Sequence, residues 1–311
     1  MANTAHEWDT GRPLLLDGGM GQELAARGLS TTSGLWSAHA LLSEPDTVLA
    51  VHRDFIDAGA DVISTNTYAT TRRRLDDGGE GEKFEALNRR AGELARQARS
   101  HAGREVLIAG SLPPIHGSYR PDRVRPVAEL EPLYHEQAAL LAEYVDVLLC
   151  ETMSTASEAL AAARGAAATG SPVWVAWTVA DDGSGRLRSG ESIADALAAL
   201  ADVPVSAVLL NCSMPESIDA ALPGLARAGM PYGAYANGFT AIAAGDDVAD
   251  GADVPDARTD MDPTRYAGRV ERWLDAGASI VGGCCEVGPE HIARLRAMID
   301  DRPKASGVTA R

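Results

Sequence analysis

Lysine is nearly missing from this chain of 311 residues: Lys83 and Lys304 are the only two, and neither follows a predicted strand. Schiff-base chemistry, which needs a buried lysine of lowered pKa, is thereby set aside. Positive charge is scarce in general. With 28 basic against 44 acidic side chains the formal charge is -16, which disfavours nucleic acid and other polyanions as partners. Four cysteines are too few for a disulfide scaffold at this length, so metal binding or thiol reactivity is the better question. Aromatic residues make up only 5%, yet 45% hydrophobic and 23% charged residues still describe a soluble globular chain. No apolar run approaches the roughly 20 residues of a membrane span, and the start MANTAHEWDTGR lacks the basic-then-apolar order of a signal peptide. A cytoplasmic protein without membrane contact is expected.

What the chain does have is a regular alternation. Short runs rich in valine, leucine and isoleucine read as buried parallel strands at 14–17, 61–65, 106–110, 147–151, 173–178, 205–211, 232–236 and 279–282. Between them apolar residues recur at helical spacing, as at Val48, Val51, Phe55 and Ile56, or Leu133, Leu140, Leu141 and Tyr144. Helix starts are marked at Glu44-Pro45-Asp46, Met261-Asp262-Pro263 and Gly288-Pro289-Glu290, and helix ends at Gly59 and Gly277. About eight strand–helix repeats without a linker predict one (β/α)8 barrel, an α/β fold, over residues 1–311, with flexible ends at about 1–12 and 301–311. A doubly wound sheet is the alternative. It would usually carry G-x-G-x-x-G after an early strand, and Asp17-Gly18-Gly19-Met20-Gly21 does not fit.

A barrel gathers the C-terminal ends of its strands on one face, where active sites are built. The residues expected there are Asp17, Thr65, Asn66, Gly110, Ser111, Glu151, Thr178, Asn211, Cys212, Asn237, Cys284 and Cys285. Cys212 follows the sixth strand and Cys284-Cys285 the eighth, so three thiols converge although far apart in sequence. Soft thiolates suit zinc, and a catalytic zinc keeps three protein ligands and one open position. The preceding Gly282-Gly283 would permit the sharp turn that two adjacent ligands require. Two plainer readings stand beside this one. Free cysteine is a common buried residue, which is the expectation for Cys150 inside its apolar run, and Gly282-Gly283 could instead cradle a phosphate.

The segments DGGMGQEL, LWSAHALLSEPDTVLAVHRDFIDAGADVISTNTY, LLCETMSTASEA, LLNCS and VGGCCEVGPEHI, in that order, resemble the homocysteine S-methyltransferases, over about Leu14 to Ile299. The resemblance implies a (β/α)8 barrel and zinc-dependent methyl transfer to the sulfur of homocysteine, giving methionine. It implies that Cys212, Cys284 and Cys285 hold zinc, and that Asp17 and Glu151 surround the amino group of homocysteine. It also implies that Asn237 lies near the metal and fills the open position when substrate is absent. An alternative enzyme would be a barrel hydrolase or lyase using Asp17 and Glu151 as acid and base. A zinc-dependent thiol sensor without turnover is a third class.

The chain departs from members that use S-methylmethionine in one stretch: where many of those read GSxGPYG after the third strand, it reads GSLPPIHGSYRPD. The donor expected is a sulfonium, S-methylmethionine or S-adenosylmethionine, with betaine as the alternative. A methylated onium is activated by its own charge, so the protein need only position it and exclude water. Trp36, Trp177 and Tyr235 lie near predicted loops or strand ends, where aromatic faces could hold such a cation, core packing being the other reading. The aspartate-rich stretch 240–261 reads as a solvated insertion, or as a lid.

Overall fold

The computed structural model describes residues 12–29, 35–243 and 255–302. The expected flexible ends therefore fall almost entirely outside the described residues, as do the middle of the aspartate-rich stretch and the side chain of Trp36.

Eight parallel strands form one sheet: β1 (Leu14–Leu15), β2 (Val62–Ser64), β3 (Leu107–Leu112), β4 (Val147–Met153), β5 (Val173–Trp177), β6 (Ala207–Asn211), β7 (Tyr232–Ala236) and β8 (Ile280–Gly283). Each neighbours its successor from β2 to β8, and β8 pairs with β1. A parallel bridge between Leu16 and Val62 brings β1 back to β2. Hydrogen bonds from the Asp61 amide to the Leu15 carbonyl (2.7 Å) and from the Asp17 amide to the Val62 carbonyl (2.9 Å) complete the closure. The result is the expected (β/α)8 barrel.

Strand side chains alternate between two apolar layers because the pleat has a period of two. Leu14, Leu16, Val62, Leu107, Ala109, Val147, Leu149, Trp174, Ala176, Leu209, Tyr235 and Ile280 fill the barrel interior. Leu148, Cys150, Val173, Val175, Trp177, Val208 and Leu210 belong to the larger cluster between strands and helices. With both faces buried, the strands read as continuous apolar runs rather than as alternation.

The helical signals act where the sequence puts them. Helices span Pro45–Asp57, Pro263–Asp275 and Pro289–Asp301, each with proline in its first turn. The Asp262 carboxylate accepts from the Thr264 and Arg265 amides, the expected cap. Gly59 (φ 105°) and Gly277 (φ 97°) follow the first two helices in the left-handed conformation that glycine adopts most readily. No helix among the described residues is long and apolar enough to cross a membrane.

Candidate active site

The C-terminal mouth of the barrel opens into a cleft lined by Asp17, Tyr68, Tyr119, Glu151, Tyr235 and the three cysteines, among others. β8 turns sharply into Cys284-Cys285, but its glycines serve close approach rather than a left-handed turn. A Cβ on Gly282 would sit 2.7 Å from Leu16 Cβ, and one on Gly283 2.0 Å from Val287 Cγ1. The left-handed residue of that turn is Glu286 (φ 62°). The protein itself occupies the space freed by the two glycines, which leaves the phosphate cradle without support. Cys284 is anchored through its amide to the Ala236 carbonyl (2.9 Å), and Cys285 accepts at its carbonyl from the Gly238 amide (2.8 Å).

Cys212 leaves β6 with φ 48°, an uncommon conformation for a residue with a Cβ. Its amide donates to the Tyr235 carbonyl (3.2 Å) and its carbonyl accepts from Thr178 Oγ1 (3.2 Å). The three Sγ atoms lie within 4.8 Å of one another. Cys212 Sγ is 3.9 Å from Cys285 Sγ, far beyond a disulfide, and all four cysteines are free. Hydrogen bonds from Cys284 and Cys285, and one from Tyr119, favour the thiolate at Cys212 against the cost of burial. Hydrogen bonds with Cys212 and Cys285, together with burial, push the Cys284 thiol up. Three converging soft donors at an accessible mouth fit a thiolate-bound metal.

Asp17 follows β1 and Glu151 lies in β4, and both line this cleft. Asp17, 3% exposed, accepts from the Ser64 amide (2.7 Å) and hydroxyl (3.1 Å). Glu151, 8% exposed, accepts from the Ser111 hydroxyl and from Tyr235 (3.1 Å). β4 runs two residues further than expected, with an irregularity in pairing between Cys150 and Met153 and a left-handed Thr152 (φ 62°) just after Glu151. Asn211 holds that turn, accepting from the Thr152 amide (2.9 Å) and donating to its hydroxyl (2.9 Å). Burial pushes both carboxyls up to about 7, against the hydrogen bonds that favour the charged forms. Asn237 is fully buried just beyond β7, not on the cleft wall. Its Oδ1 accepts from the Phe239 amide (3.3 Å), while its Nδ2 has no hydrogen-bond partner.

The aromatic expectations divide. Tyr235 lines the cleft. Trp177 is wholly buried in the strand–helix layer, the outward parity of its strand, so it is a core residue and not a cation holder. Cys150 lies in the same outer layer, as expected, with its thiol pushed well up by burial. Trp36 begins the helix Trp36–Ser43, and its side chain lies outside what is described.

Sequence reasoning missed Tyr119. Its hydroxyl donates to Cys212 Sγ (3.1 Å), and its backbone is left-handed (φ 63°). The only signal was its position in GSLPPIHGSYRPD, the stretch that departs from the family pattern. Also missed was Tyr68, whose hydroxyl shares a 2.7 Å hydrogen bond with Ser118 on the cleft wall.

Comparison with known proteins agrees with this geometry. A family model described as homocysteine S-methyltransferase matches residues 14–299. The homocysteine S-methyltransferase of Escherichia coli is 33% identical, covering 91% of this chain and 94% of that protein. The selenocysteine methyltransferase of Astragalus bisulcatus is 32% identical over 91% of each. The metallated form of the homocysteine methyltransferase MmuM from Escherichia coli superposes with a TM-score of 0.78 at 31% identity, covering 93% of this chain and 97% of that one. Fold, cleft and matched length together show that the chain belongs to the homocysteine S-methyltransferase family.

Proposed function

We propose that this enzyme moves a methyl group from a sulfonium donor, S-methylmethionine or S-adenosylmethionine, to the thiol of homocysteine, with zinc held by Cys212, Cys284 and Cys285. The observation that carries this reading is the convergence of three free thiols within 4.8 Å at the mouth of a cleft that also holds two buried carboxylates. Bound zinc would supply Lewis acidity, lowering the pKa of a substrate thiol from its ordinary value of about 8.5 so that the thiolate exists at neutral pH. The protein's own groups do the rest.

Asp17 and Glu151 take the ammonium of homocysteine. Ser64, Ser111 and Tyr235 fix the orientation of those carboxylates, so the ammonium meets oxygens already in place. A new S–CH3 bond forms at the homocysteine sulfur as the donor's S–CH3 bond breaks. The bonding pair leaves with the donor sulfur, which becomes a neutral thioether, and the thiol proton is released. The buried cleft wall excludes water from the onium carbon. Trp36 keeps its assignment to the substrate side, whereas Asn237, buried off the cleft wall with its amide donating to the Ser213 carbonyl (3.1 Å) beside Cys212, is assigned to the metal side and not to contact with substrate. The free thiols suit the reducing cytoplasm, the proposed compartment.

The test is incubation of zinc-loaded protein and homocysteine with S-methylmethionine, S-adenosylmethionine, betaine or methyltetrahydrofolate. Methionine is expected from a sulfonium. Formation from betaine and from neither sulfonium would overturn the donor assignment. Selenocysteine is a second acceptor worth assaying, given the relative named for it.

A further inference from the structure

Arg188 lies in the segment after β5, its side chain 5% exposed. The guanidinium pairs with Asp181 at 2.8 Å, itself 2% exposed. It donates from Nε to Thr178 Oγ1 (2.9 Å) and from Nη1 to the Ile242 carbonyl (3.0 Å). Its Cζ stands 4.7 Å from the ring centroid of Tyr119.

Two of these contacts lead to the same residue. Tyr119 donates its hydroxyl hydrogen to Cys212 Sγ (3.1 Å), and Thr178 donates its own to the Cys212 carbonyl (3.2 Å). Asp181 extends the brace by accepting from the amides of Met214 (2.9 Å), two residues past Cys212, and Ile242 (3.1 Å). Ile242 packs with Tyr119 and Cys212 in one apolar cluster, which Cys284 and Cys285 border. The loops after β3, β5 and β7 thus meet on one guanidinium, and the loop after β6 is tied to it through Thr178 and Asp181.

Both Tyr119 and Cys212 have left-handed backbones, which cost free energy and persist only where the surroundings over-determine them. A planar guanidinium suits this task, since it stacks on a ring by one face and spends its in-plane donors on fixed acceptors. Lysine offers no such plate.

We propose that Arg188 is a positioning residue of the methyl-transfer site: stacked on Tyr119 and hydrogen-bonded to Thr178, it holds Cys212 at both sulfur and carbonyl in the place from which it binds metal. The inference rests on the zinc reading above. Groups behind metal ligands commonly change metal affinity by about 10–100-fold when removed, which sets the expected size.

The experiment titrates Co2+ and Zn2+ into the full-length protein and into the Arg188→Met/Asp181→Asn pair, which removes both charges and so leaves no buried carboxylate unpaired. The pair variant should bind both metals about 10–100-fold more weakly and shift the thiolate-to-cobalt absorption, with a melting temperature close to the wild type. In a Tyr119→Phe background the same pair should cost less, because part of the brace acts through the tyrosine hydroxyl. Unchanged affinity and spectrum, or an equal loss in both backgrounds, would overturn the proposal. If the pair variant does not fold, Arg188→Lys, which keeps a charge for Asp181, must still weaken binding, and wild-type affinity there overturns the proposal as well. Failure of the wild type to bind metal through its thiols sinks the zinc reading instead. The brace is then read in metal-free protein labelled with 3-fluorotyrosine, where the Tyr119 resonance, assigned through Tyr119→Phe, should broaden or split in the pair variant and overturns the proposal if it does not.

Discussion

The four cysteines separate two kinds of thiol by position alone. Cys150 points into the strand–helix layer, whereas Cys212, Cys284 and Cys285 share the mouth. Replacing any of the three by alanine should abolish zinc retention and methyl transfer, since two thiolates leave the ion exchangeable. Cys150→Ala should retain one zinc per chain and most of its activity, as measured by metal analysis beside turnover. The carboxylates act on a different part of the substrate. Asp17→Asn and Glu151→Gln should each raise the KM for homocysteine by about 10–100-fold, the worth of a charge-assisted hydrogen bond of roughly 1.5–3 kcal/mol, and leave zinc content unchanged. Their pH dependence has a definite sign. Both carboxyls titrate near 7 in the free protein, and only the charged forms attract an ammonium. Homocysteine affinity should therefore fall as pH drops from 7.5 through about 7 towards 5.5. Affinity that is flat over this range would remove the two acids from ammonium recognition.

Strands and helices were legible in sequence because their signals are local: apolar runs, proline starts and glycine ends. All eight expected strands are present, with β4 extended by Thr152 and Met153. What stayed hidden depends on backbone conformation and on parity. Four residues other than glycine have positive φ among the described residues, and Tyr119, Thr152, Cys212 and Glu286 all lie in or beside the site. No residue type announces such a conformation at tyrosine or threonine, because tertiary contacts impose it. Trp177 was left between core packing and cation binding for a related reason. A run buried on both faces hides which parity faces inward, so Trp177 and the inward Tyr235 look alike until the register is known. The turn after β8 provides a test at this scale. In Gly283→Ala the new methyl carbon would lie 2.0 Å from Val287 Cγ1, and relief must come from moving Val287 or the backbone that carries Cys284. Overpacking of this kind costs about 1–3 kcal/mol. The variant should lose thermal stability and bind zinc more weakly, and adding Val287→Ala should recover part of both. Normal zinc binding in Gly283→Ala would show that the close approach does not set the position of the thiols.

Across the whole molecule, the burial of acids makes stability depend on pH in a direction opposite to the common one. Asp17, Glu151 and Glu158 are each pushed up to about 7 by burial. Glu158 lies behind β4, 2% exposed, and accepts from the Ser154 amide (2.9 Å). Below pH 4 such groups are protonated in folded and unfolded chains alike, and burial costs them little. As pH rises the unfolded chain ionises first, so the folded state loses relative stability until pH passes about 7 and both forms are charged. The shift of Glu158 corresponds to about 3 kcal/mol at most, at 1.36 kcal/mol per pKa unit. His52 works against this trend. It is wholly buried, neither ring nitrogen has a hydrogen-bond partner, and burial lowers it to about 4. Its contribution is complete above about pH 6.5 and is lost as pH falls towards 4. Three acids outweigh one histidine, so the metal-free protein should melt at a lower temperature at pH 8 than at pH 5.5. Glu158→Gln separates the structural acid from those of the cleft. It cannot ionise, so the fall in melting temperature between pH 5.5 and 8 should shrink by several degrees whatever the absolute stability of the variant. His52→Leu should steepen the same fall, because the opposing slope is gone. Adding homocysteine to the zinc-loaded protein should offset the share due to Asp17 and Glu151, whose charges then meet an ammonium, and leave the share of Glu158 in place. Scanning calorimetry at the two pH values reads all of these slopes. A Glu158→Gln slope equal to that of the wild type would show that this carboxyl ionises as readily inside the fold as outside it.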